Sequence, residues 1–321
     1  MIGYSIGVDL GGTNLRAAAI DSTGQILEKI AGSTNFSEGR DAVLADIVAA
    51  MSALRERHGV AELAGIGIGV PGFIQFKEGI VRNANNLPFL ENFAMRDALE
   101  KQLGAVVILE NDANAAALGE KWMGAGRETD DLVLLTLGTG IGGGIISGGR
   151  ILRGYLGMAG ELGHITVVPN GAPCGCGNQG CVEKYSSATA VSAMARLLQL
   201  GHDLSSKDVF DIAQGSDDRG QKAREIFRVM GESLGILLAM LVNTFNFPLY
   251  LLSGGMLPAW DLFAPAMLRT ATLRSYSFRA AEGNTAEGST RIIAATLGNE
   301  AGLFGAAYLP WVEPRVESNK G

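Results

Sequence analysis

A unit of strand, glycine-rich turn and strand occurs twice, and this repeat constrains the fold more than any other feature of the sequence. The first copy turns at Leu10-Gly-Gly-Thr-Asn14 and the second at Leu137-Gly-Thr-Gly-Ile141, and a short turn with a third apolar strand follows each. Backbone N–H groups exposed in such turns can cradle phosphate. We therefore expect two similar α/β domains whose glycine turns hold a nucleotide's phosphates from both sides of one cleft, which closes by hinge motion.

Asp9 ends the first strand, directly before the first glycine turn. A carboxylate at this position can orient a hydrated Mg²⁺ beside a bound phosphate. The turn is not a Walker loop, because no Gly-Lys-Ser/Thr sequence follows it. Taken alone, a Gly-Gly-Thr turn is more often only a tight hairpin.

A metal-type cluster follows the second glycine turn. The three cysteines of the chain are Cys174, Cys176 and Cys181, and His164 lies ten residues before the first of them. Three thiolates and one imidazole form the closed tetrahedral set of a structural Zn²⁺, which leaves no open position for a reacting water. The alternative is a disulfide with one thiol left over, which the odd cysteine count and the lack of a signal-peptide pattern disfavour.

Composition excludes several classes of function. The net charge is −7, and no basic stripe is present, so nucleic acid is not expected as the main partner. The most apolar helix candidate, Leu234 to Val242, is about half the length needed to cross a bilayer, so no membrane insertion is expected. The N-terminus has no charged prefix followed by an apolar run. These features predict a soluble, cytoplasmic protein.

Asp112 is the candidate general base. An apolar strand, Val106 to Leu109, runs into Glu110-Asn111-Asp112, where a strand ends and a helix is predicted to start. A carboxylate at such a junction is easily exposed to a cleft. Aspartate also caps helices well, and position alone does not separate the two roles.

Two further loops carry groups suited to ligands. The loop Asn83-Ala-Asn-Asn86-Leu-Pro88 is rich in amides, which offer sugar hydroxyls both donors and acceptors, although an ordinary asparagine-rich turn explains it as well. A strand at Leu249 to Leu252 ends in Ser253-Gly254-Gly255, a turn suited to approach by a ribose or base.

The glycines between Leu118 and Asp130 predict a hinge between the two halves of the chain. We expect a small N-terminal α/β domain over residues 1–118, completed by a helix at about 299–312, and a large α/β domain with the zinc loop over residues 119–298. Helices are predicted at Asp41 to Arg57, Ala188 to Leu200, Gln221 to Phe245 and Asn299 to Leu309.

Together these motifs resemble the ROK family of sugar kinases and repressors, a branch of the actin-like (ribonuclease H-like) ATPase fold with two similar α/β domains. The resemblance covers nearly the whole chain. Its motifs, in order, are Asp9-Leu-Gly-Gly-Thr13, Val70-Pro-Gly72, Glu110-Asn-Asp-Ala-Asn114, Leu137-Gly-Thr-Gly-Ile-Gly-Gly-Gly144, Gly160-Glu-Leu-Gly-His164, the three cysteines with Glu183, Leu252-Ser-Gly-Gly255 and Leu297-Gly-Asn-Glu-Ala-Gly-Leu-Phe-Gly-Ala-Ala307.

The resemblance implies an ATP-dependent sugar kinase that uses ATP with Mg²⁺. Asp112 would take the proton from the sugar 6-hydroxyl as that oxygen attacks the γ-phosphorus. Gly254 and Gly255 would lie near the adenosine. The residues expected to hold the phosphates are Asp9, Gly11, Gly12, Thr13, Asn14, Gly138, Thr139 and Gly140.

The resemblance also implies a sugar site, and its residues would be Asn111, Asp112, Glu161, His164 and Glu183, with Gly72 and Asn86 nearby. His164 then has two compatible roles, because one ring nitrogen can bind zinc while the other donates to a sugar hydroxyl. Members of the family are often dimers, so a homodimer is expected.

Glucokinase is the first hypothesis for the activity. An N-acetylhexosamine kinase, a fructokinase or a mannokinase on the same scaffold is the second, and a non-catalytic sugar sensor is the third. The sensor is the weakest, because Asp112 and the phosphate turns are all present. The first phosphate motif begins at residue 5, where a family repressor would carry a DNA-binding segment first. The preferred hexose, and polyphosphate as an alternative donor, stay open.

Overall fold

The computed structural model describes residues 3–11, 14–33, 36–84, 87–281 and 288–313. The strands are β1 Tyr4–Leu10, β2 Asn14–Asp21, β3 Ile26–Ser33, β4 Leu63–Val70, β5 Phe73–Gln75, β6 Ile80–Asn83, β7 Val107–Asn111, β8 Leu132–Leu137, β9 Ile141–Ser147, β10 Arg150–Ile151, β11 Leu249–Ser253 and β12 Arg291–Ala294. The α-helices are α1 Arg40–His58, α2 Met95–Leu103, α3 Asp112–Met123, α4 Glu183–Ser186, α5 Ala188–Leu197, α6 Ser206–Ala213, α7 Asp218–Phe245, α8 Trp260–Arg274, α9 Tyr276–Ala280 and α10 Ala301–Val312. Short 3-10 helices lie at Phe36–Glu38, Val60–Glu62, Pro88–Leu90, Leu162–His164, Leu257–Ala259 and Gly298–Glu300.

The repeat in the sequence corresponds to two five-stranded sheets in the structure. The described residues form two five-stranded sheets, with strand orders β3-β2-β1-β4-β7 and β10-β9-β8-β11-β12, and a hairpin of β5 and β6. In the first sheet β1 pairs antiparallel with β2 and parallel with β4, and β4 pairs parallel with β7. In the second sheet β8 pairs parallel with β11, and β11 with β12. The prediction of two similar α/β halves is confirmed.

The chain divides into two compact units, which we call unit 1 and unit 2. Unit 1 consists of residues 1–130, 144–160 and 296–321, and unit 2 of residues 131–143 and 161–295. Helix α3 continues to Met123, so the domain boundary predicted after residue 118 falls inside a helix. Each unit has a buried core of Ile, Leu, Val and Ala side chains, as the apolar strands predicted.

In unit 1, helix α10 packs so closely on helix α3 that glycine is required at the contact. A Cβ atom on Gly305 would lie 1.6 Å from the Ala115 carbonyl oxygen, and one on Gly119 would lie 2.0 Å from that of Ala301. Both distances are far below van der Waals contact, so any side chain here would force the helices apart. The helix that begins at Asp112 is therefore seated directly on the C-terminal helix.

In unit 2, the long helix α7 packs on α8 along a buried stripe. Its Gly231 and Gly235 lie against the α8 backbone, where a Cβ atom on Gly231 would meet the Phe263 carbonyl oxygen at 2.2 Å. Helix α7 begins three residues before the predicted Gln221, because the Asp217 side chain accepts from the Gly220 N–H and caps it. Among the helices of the described residues, none is both long enough and apolar enough to cross a membrane.

Candidate active site

In unit 1, the Asn111-Asp112 turn joins strand β7 to helix α3. The Asn111 side-chain oxygen accepts from the backbone N–H groups of Ala113, at 2.9 Å, and Asn114, at 3.1 Å. Asn111 is therefore the N-cap, and the capping role that the sequence left open for Asp112 belongs to its neighbour. Asp112 is the first helical residue, and one of its carboxylate oxygens accepts from the Ala113 N–H at 2.9 Å.

The other end of the Asn111 amide fixes this turn to the loop after β4. Its Nδ2 donates to the Gly72 carbonyl oxygen at 3.1 Å. Gly72 has a φ of 119°, and a Cβ atom there would lie 2.0 Å from the Asn83 carbonyl oxygen. Glycine is required at this position because both the backbone conformation and the space forbid a side chain. The predicted sugar roles of Gly72 and Asn111 stay predictions, and Asn86 lies outside the described residues.

Sequence reasoning missed a buried ion pair behind the turn. Glu110, 2% exposed, pairs with Arg153, which lies just after β10. No local pattern reveals the pair, because its partners are far apart in sequence. A glutamate directly before the Asn-Asp pair, in an otherwise apolar strand, was the one available signal.

The predicted magnesium-orienting carboxylate, Asp9, forms an ion pair with Arg16. Arg16 also donates from Nη1 to the Asn299 carbonyl oxygen at 2.7 Å. Burial raises the pKa of Asp9, although the Arg16 guanidinium opposes that rise. A cleft of about 590 Å³ opens beside the pair, lined by Gly11, Asn14, Leu15, Arg16, Ala31, Gly32 and Asn299. Two further predicted phosphate ligands, Gly12 and Thr13, lie outside the described residues.

In unit 2, the glycine turn that follows β8 is fixed to the start of helix α5. The Gly138 N–H donates to the Gly140 carbonyl oxygen at 3.0 Å, and the Gly138 carbonyl accepts from the Ala188 N–H at 2.8 Å. The Thr189 hydroxyl donates to the Thr139 carbonyl oxygen at 2.8 Å. The turn therefore has a defined conformation set by backbone contacts.

The glycine turn after β11 lies against this first turn. Gly254 has a φ of 100°, and a Cβ atom on it would lie 2.4 Å from the Leu137 carbonyl oxygen. The Met256 N–H donates to that same oxygen at 3.2 Å. Two of the predicted nucleotide segments, 138–140 and 254–255, are thus neighbours in unit 2.

Three of the predicted sugar ligands lie together in unit 2. The His164 Nε2 atom is 3.8 Å from a Glu161 carboxylate oxygen. Burial raises the pKa of Glu161, the His164 ring opposes the rise, and the nearby Glu183 carboxylate adds to it. Glu183 itself accepts from the Ile141 N–H at 2.8 Å, and a Cβ atom on Gly140 would clash with its carboxylate at 2.4 Å. Glu183 therefore connects the predicted sugar ligands to the glycine turn.

The predicted zinc ligands also converge. The ligand atoms of His164, Cys174, Cys176 and Cys181 all lie within 4.8 Å of one another. The His164 Nδ1 atom is 3.6 Å from the Cys174 sulfur, and the Cys176 and Cys181 sulfurs are 3.7 Å apart. Ligands of a tetrahedral zinc ion lie about 3.6–3.8 Å from one another. A disulfide needs about 2.05 Å, so the three cysteines are free thiols in this structure.

The sequence profile of the ROK family matches residues 5–311 of this chain. The chain belongs to the ROK family. It is 38% identical over 323 residues to a glucokinase of Halalkalibacterium halodurans, covering 95% of this chain and 94% of that protein.

Two solved ROK structures share the fold. A ROK hexokinase from Thermus thermophilus superposes with a TM-score of 0.83 at 34% identity, over 97% of this chain and 98% of that one. A ROK glucokinase from Streptomyces griseus, solved with glucose and AMPPNP, gives 0.76 at 34% identity, over 96% and 99% of the two chains. The predicted actin-like α/β fold is confirmed.

Proposed function

We propose that this ROK protein is an ATP-dependent glucokinase that transfers the γ-phosphoryl group of ATP to the 6-hydroxyl of glucose, with Asp112 as the general base. The observation that carries the proposal is that Asn111, and not Asp112, caps helix α3. The Asp112 carboxylate therefore lies at the start of helix α3 without being its N-cap. Similarity to glucokinases over nearly the full length supports glucose as the sugar.

Phosphoryl transfer needs the attacking and leaving oxygens in line, a carboxylate beside the nucleophile and neutralised phosphate charge. Asp112 accepts the proton of the 6-hydroxyl. Mg²⁺ bound with ATP supplies charge neutralisation. The residues proposed to hold the phosphates are Asp9, Gly11, Gly12, Thr13, Asn14, Gly138, Thr139 and Gly140, with Gly254 and Gly255 near the adenosine. The ion pair with Arg16 involves one carboxylate oxygen of Asp9, Oδ2.

Glucose hydroxyls are proposed to bind the same groups that the sequence predicted: Gly72, Asn86, Asn111, Asp112, Glu161, His164 and Glu183. The Asn111 amide already uses both ends within the protein. It keeps one N–H for a ligand, because each amide carries two donors.

A structural Zn²⁺ held by His164, Cys174, Cys176 and Cys181 is part of the proposal. The donor set and its spacing, described above, support it. Zinc there would hold the loop and the His164 ring in place. The Nδ1 atom of that ring lies toward Cys174 and its Nε2 toward Glu161, so a single imidazole connects the metal ligands to a proposed sugar ligand.

The proposal includes a cytoplasmic homodimer whose product enters glycolysis. For the domains we propose residues 1–118 with about 299–312, and residues 119–298. Glucokinase relatives support the metabolic role.

The test is an ADP-release assay with Mg-ATP against glucose, mannose, fructose, N-acetylglucosamine and N-acetylmannosamine, using protein with a measured zinc content. Glucose is expected to give the highest kcat/KM. Higher kcat/KM with an N-acetylhexosamine would reassign the substrate. Sugar binding without turnover would favour a sensor, and a parallel assay with polyphosphate separates that outcome from a different phosphoryl donor.

A further inference from the structure

Glu110 holds both sides of the Asn111-Asp112 turn from behind. Its Oε1 atom accepts from the Asn111 backbone N–H and from the Asn114 side-chain Nδ2, each at 3.0 Å. Its Oε2 atom accepts from the Arg153 Nε at 2.7 Å. The three donors occupy both oxygens, and two of them belong to residues on either side of Asp112 in the chain.

Arg153 compensates the charge of the buried Glu110 carboxylate. The guanidinium also donates to the Glu313 carboxylate at 2.6 Å, and its central carbon lies 3.7 Å from the centroid of the Phe76 ring. A planar, permanently charged guanidinium is suited to two carboxylates and an aromatic face at once. Arg153 thus joins the end of β7, the β5–β6 hairpin and the end of α10, all within unit 1.

Loss of the cation would disturb the turn. A buried carboxylate that loses its partner either takes up a proton or moves toward water, because an uncompensated buried charge is strongly unfavourable. Either change weakens the acceptor that the Asn111 N–H uses. Asp112 is the next residue, so its carboxylate would shift with the turn.

We propose that Arg153 and Glu110 are a positioning pair that fixes the Asp112 carboxylate for proton abstraction, a role that rests on the proposed function of Asp112 as the base. Neither residue is among the proposed ligands of glucose or ATP. A misplacement of about 1 Å costs on the order of 10²-fold in rate. The pair would therefore act on kcat and leave the affinities for glucose and Mg-ATP almost unchanged.

The experiment is a double-mutant cycle of Arg153→Met and Asp112→Asn, read by single-turnover phosphoryl transfer with labelled ATP. Arg153→Met alone should lower the transfer rate roughly 10- to 100-fold, while steady-state assays should give KM values for glucose and Mg-ATP within about 3-fold of the unmodified protein. In the Asp112→Asn background it should have almost no further effect, because residues that act through one another are non-additive. An equal reduction in both backgrounds would mean a merely structural role and would overturn the proposal.

The matched control is Glu313→Gln, which changes the other carboxylate on the same guanidinium but leaves the Arg153–Glu110 contact in place, so the rate should stay almost unchanged. If Arg153→Met does not fold, Glu110→Gln keeps the shape of the side chain but removes the charge that pairs with Arg153, and a normal rate in that variant would overturn the proposal. A normal rate for Arg153→Met with an inactive Asp112→Asn refutes the positioning role alone. Full activity in Asp112→Asn refutes the base assignment itself.

Discussion

Two regions are held in different ways. One is the Asn111-Asp112 turn of unit 1, and the other is the proposed sugar-ligand region of unit 2, made of Glu161, His164 and Glu183. The turn is fixed by a helix cap, a carbonyl contact at Gly72 and the buried Glu110–Arg153 pair. In the unit 2 region, Glu161 directly precedes the 3-10 helix Leu162–His164, and Glu183 begins helix α4. His164 also belongs to the cluster with the three cysteines. In the proposed function, the fold itself positions Asp112, whereas Glu161 and His164 lie beside a metal-type cluster.

The largest expected effect comes from removing the base. Asp112→Asn should lower turnover by on the order of 10³-fold, because only the proton acceptor is lost. The Tm should stay unchanged, since Asn111 still caps the helix. Glucose affinity should change little, because the asparagine keeps a side-chain oxygen that accepts a hydrogen bond. Kinetics and calorimetric glucose titration check this result. Retention of most activity would place the base elsewhere.

Zinc removal tests the other region. A verified zinc-free sample, or Cys181→Ser, should lose roughly 10- to 100-fold in glucose affinity, because the His164 ring loses its anchor. Thermal stability should fall too, while Mg-ATP affinity should change less than glucose affinity. Metal analysis with titrations of both ligands measures the contrast. Equal glucose affinity with and without zinc would show that the unit 2 region, like the turn of unit 1, is positioned without a metal.

Gly72→Ala tests how far the turn of unit 1 depends on its backbone. The new Cβ would clash with the Asn83 carbonyl at a φ of 119°, so we expect a loss of about 2 kcal/mol, seen as a Tm lower by several degrees. Gly32→Ala is the control, because a Cβ atom there has nothing within 4 Å. A similar Tm in both variants would mean that the loop adapts.

Ser187→Ala gives the smallest effect. The Ser187 hydroxyl caps helix α5 by accepting from the Ala190 N–H at 3.1 Å, as Asn111 caps α3 in unit 1. Its loss should cost about 1 kcal/mol, and this cost should be the same with and without zinc. Thermal melts of both metal states give the answer. A cost that depends on zinc would mean that the metal also affects the stability of helix α5, to which the glycine turn after β8 is bound.

The sequence predicted most of the fold, because apolar strands, amphipathic helices and glycine turns are local patterns. It does not reveal contacts between segments that are distant in the chain. Gly119, interpreted from the sequence as part of a hinge from Leu118 to Asp130, lies inside helix α3 and accommodates helix α10. The hinge itself stays a prediction.

The candidate site shows the same limit. The cysteine spacing predicted the metal-type cluster, since its ligands are close in sequence. The Arg153–Glu110 pair was missed, because it joins segments that meet only in the folded chain. The choice of Asn111 over Asp112 as cap depends on side-chain geometry, which the sequence does not contain.

The close contact of helix α10 with α3 has a consequence for synthesis of the protein. Domains fold as their chain emerges from the ribosome. Unit 2 ends at residue 295, so all of it is available before α10 has been translated. Unit 1 gains the support under the Asp112 helix only with α10, which follows all of unit 2 in the chain. Unit 1 is therefore the later of the two units to be completed, because helix α3 gains its packing partner α10 only after the residues of unit 2 have been made.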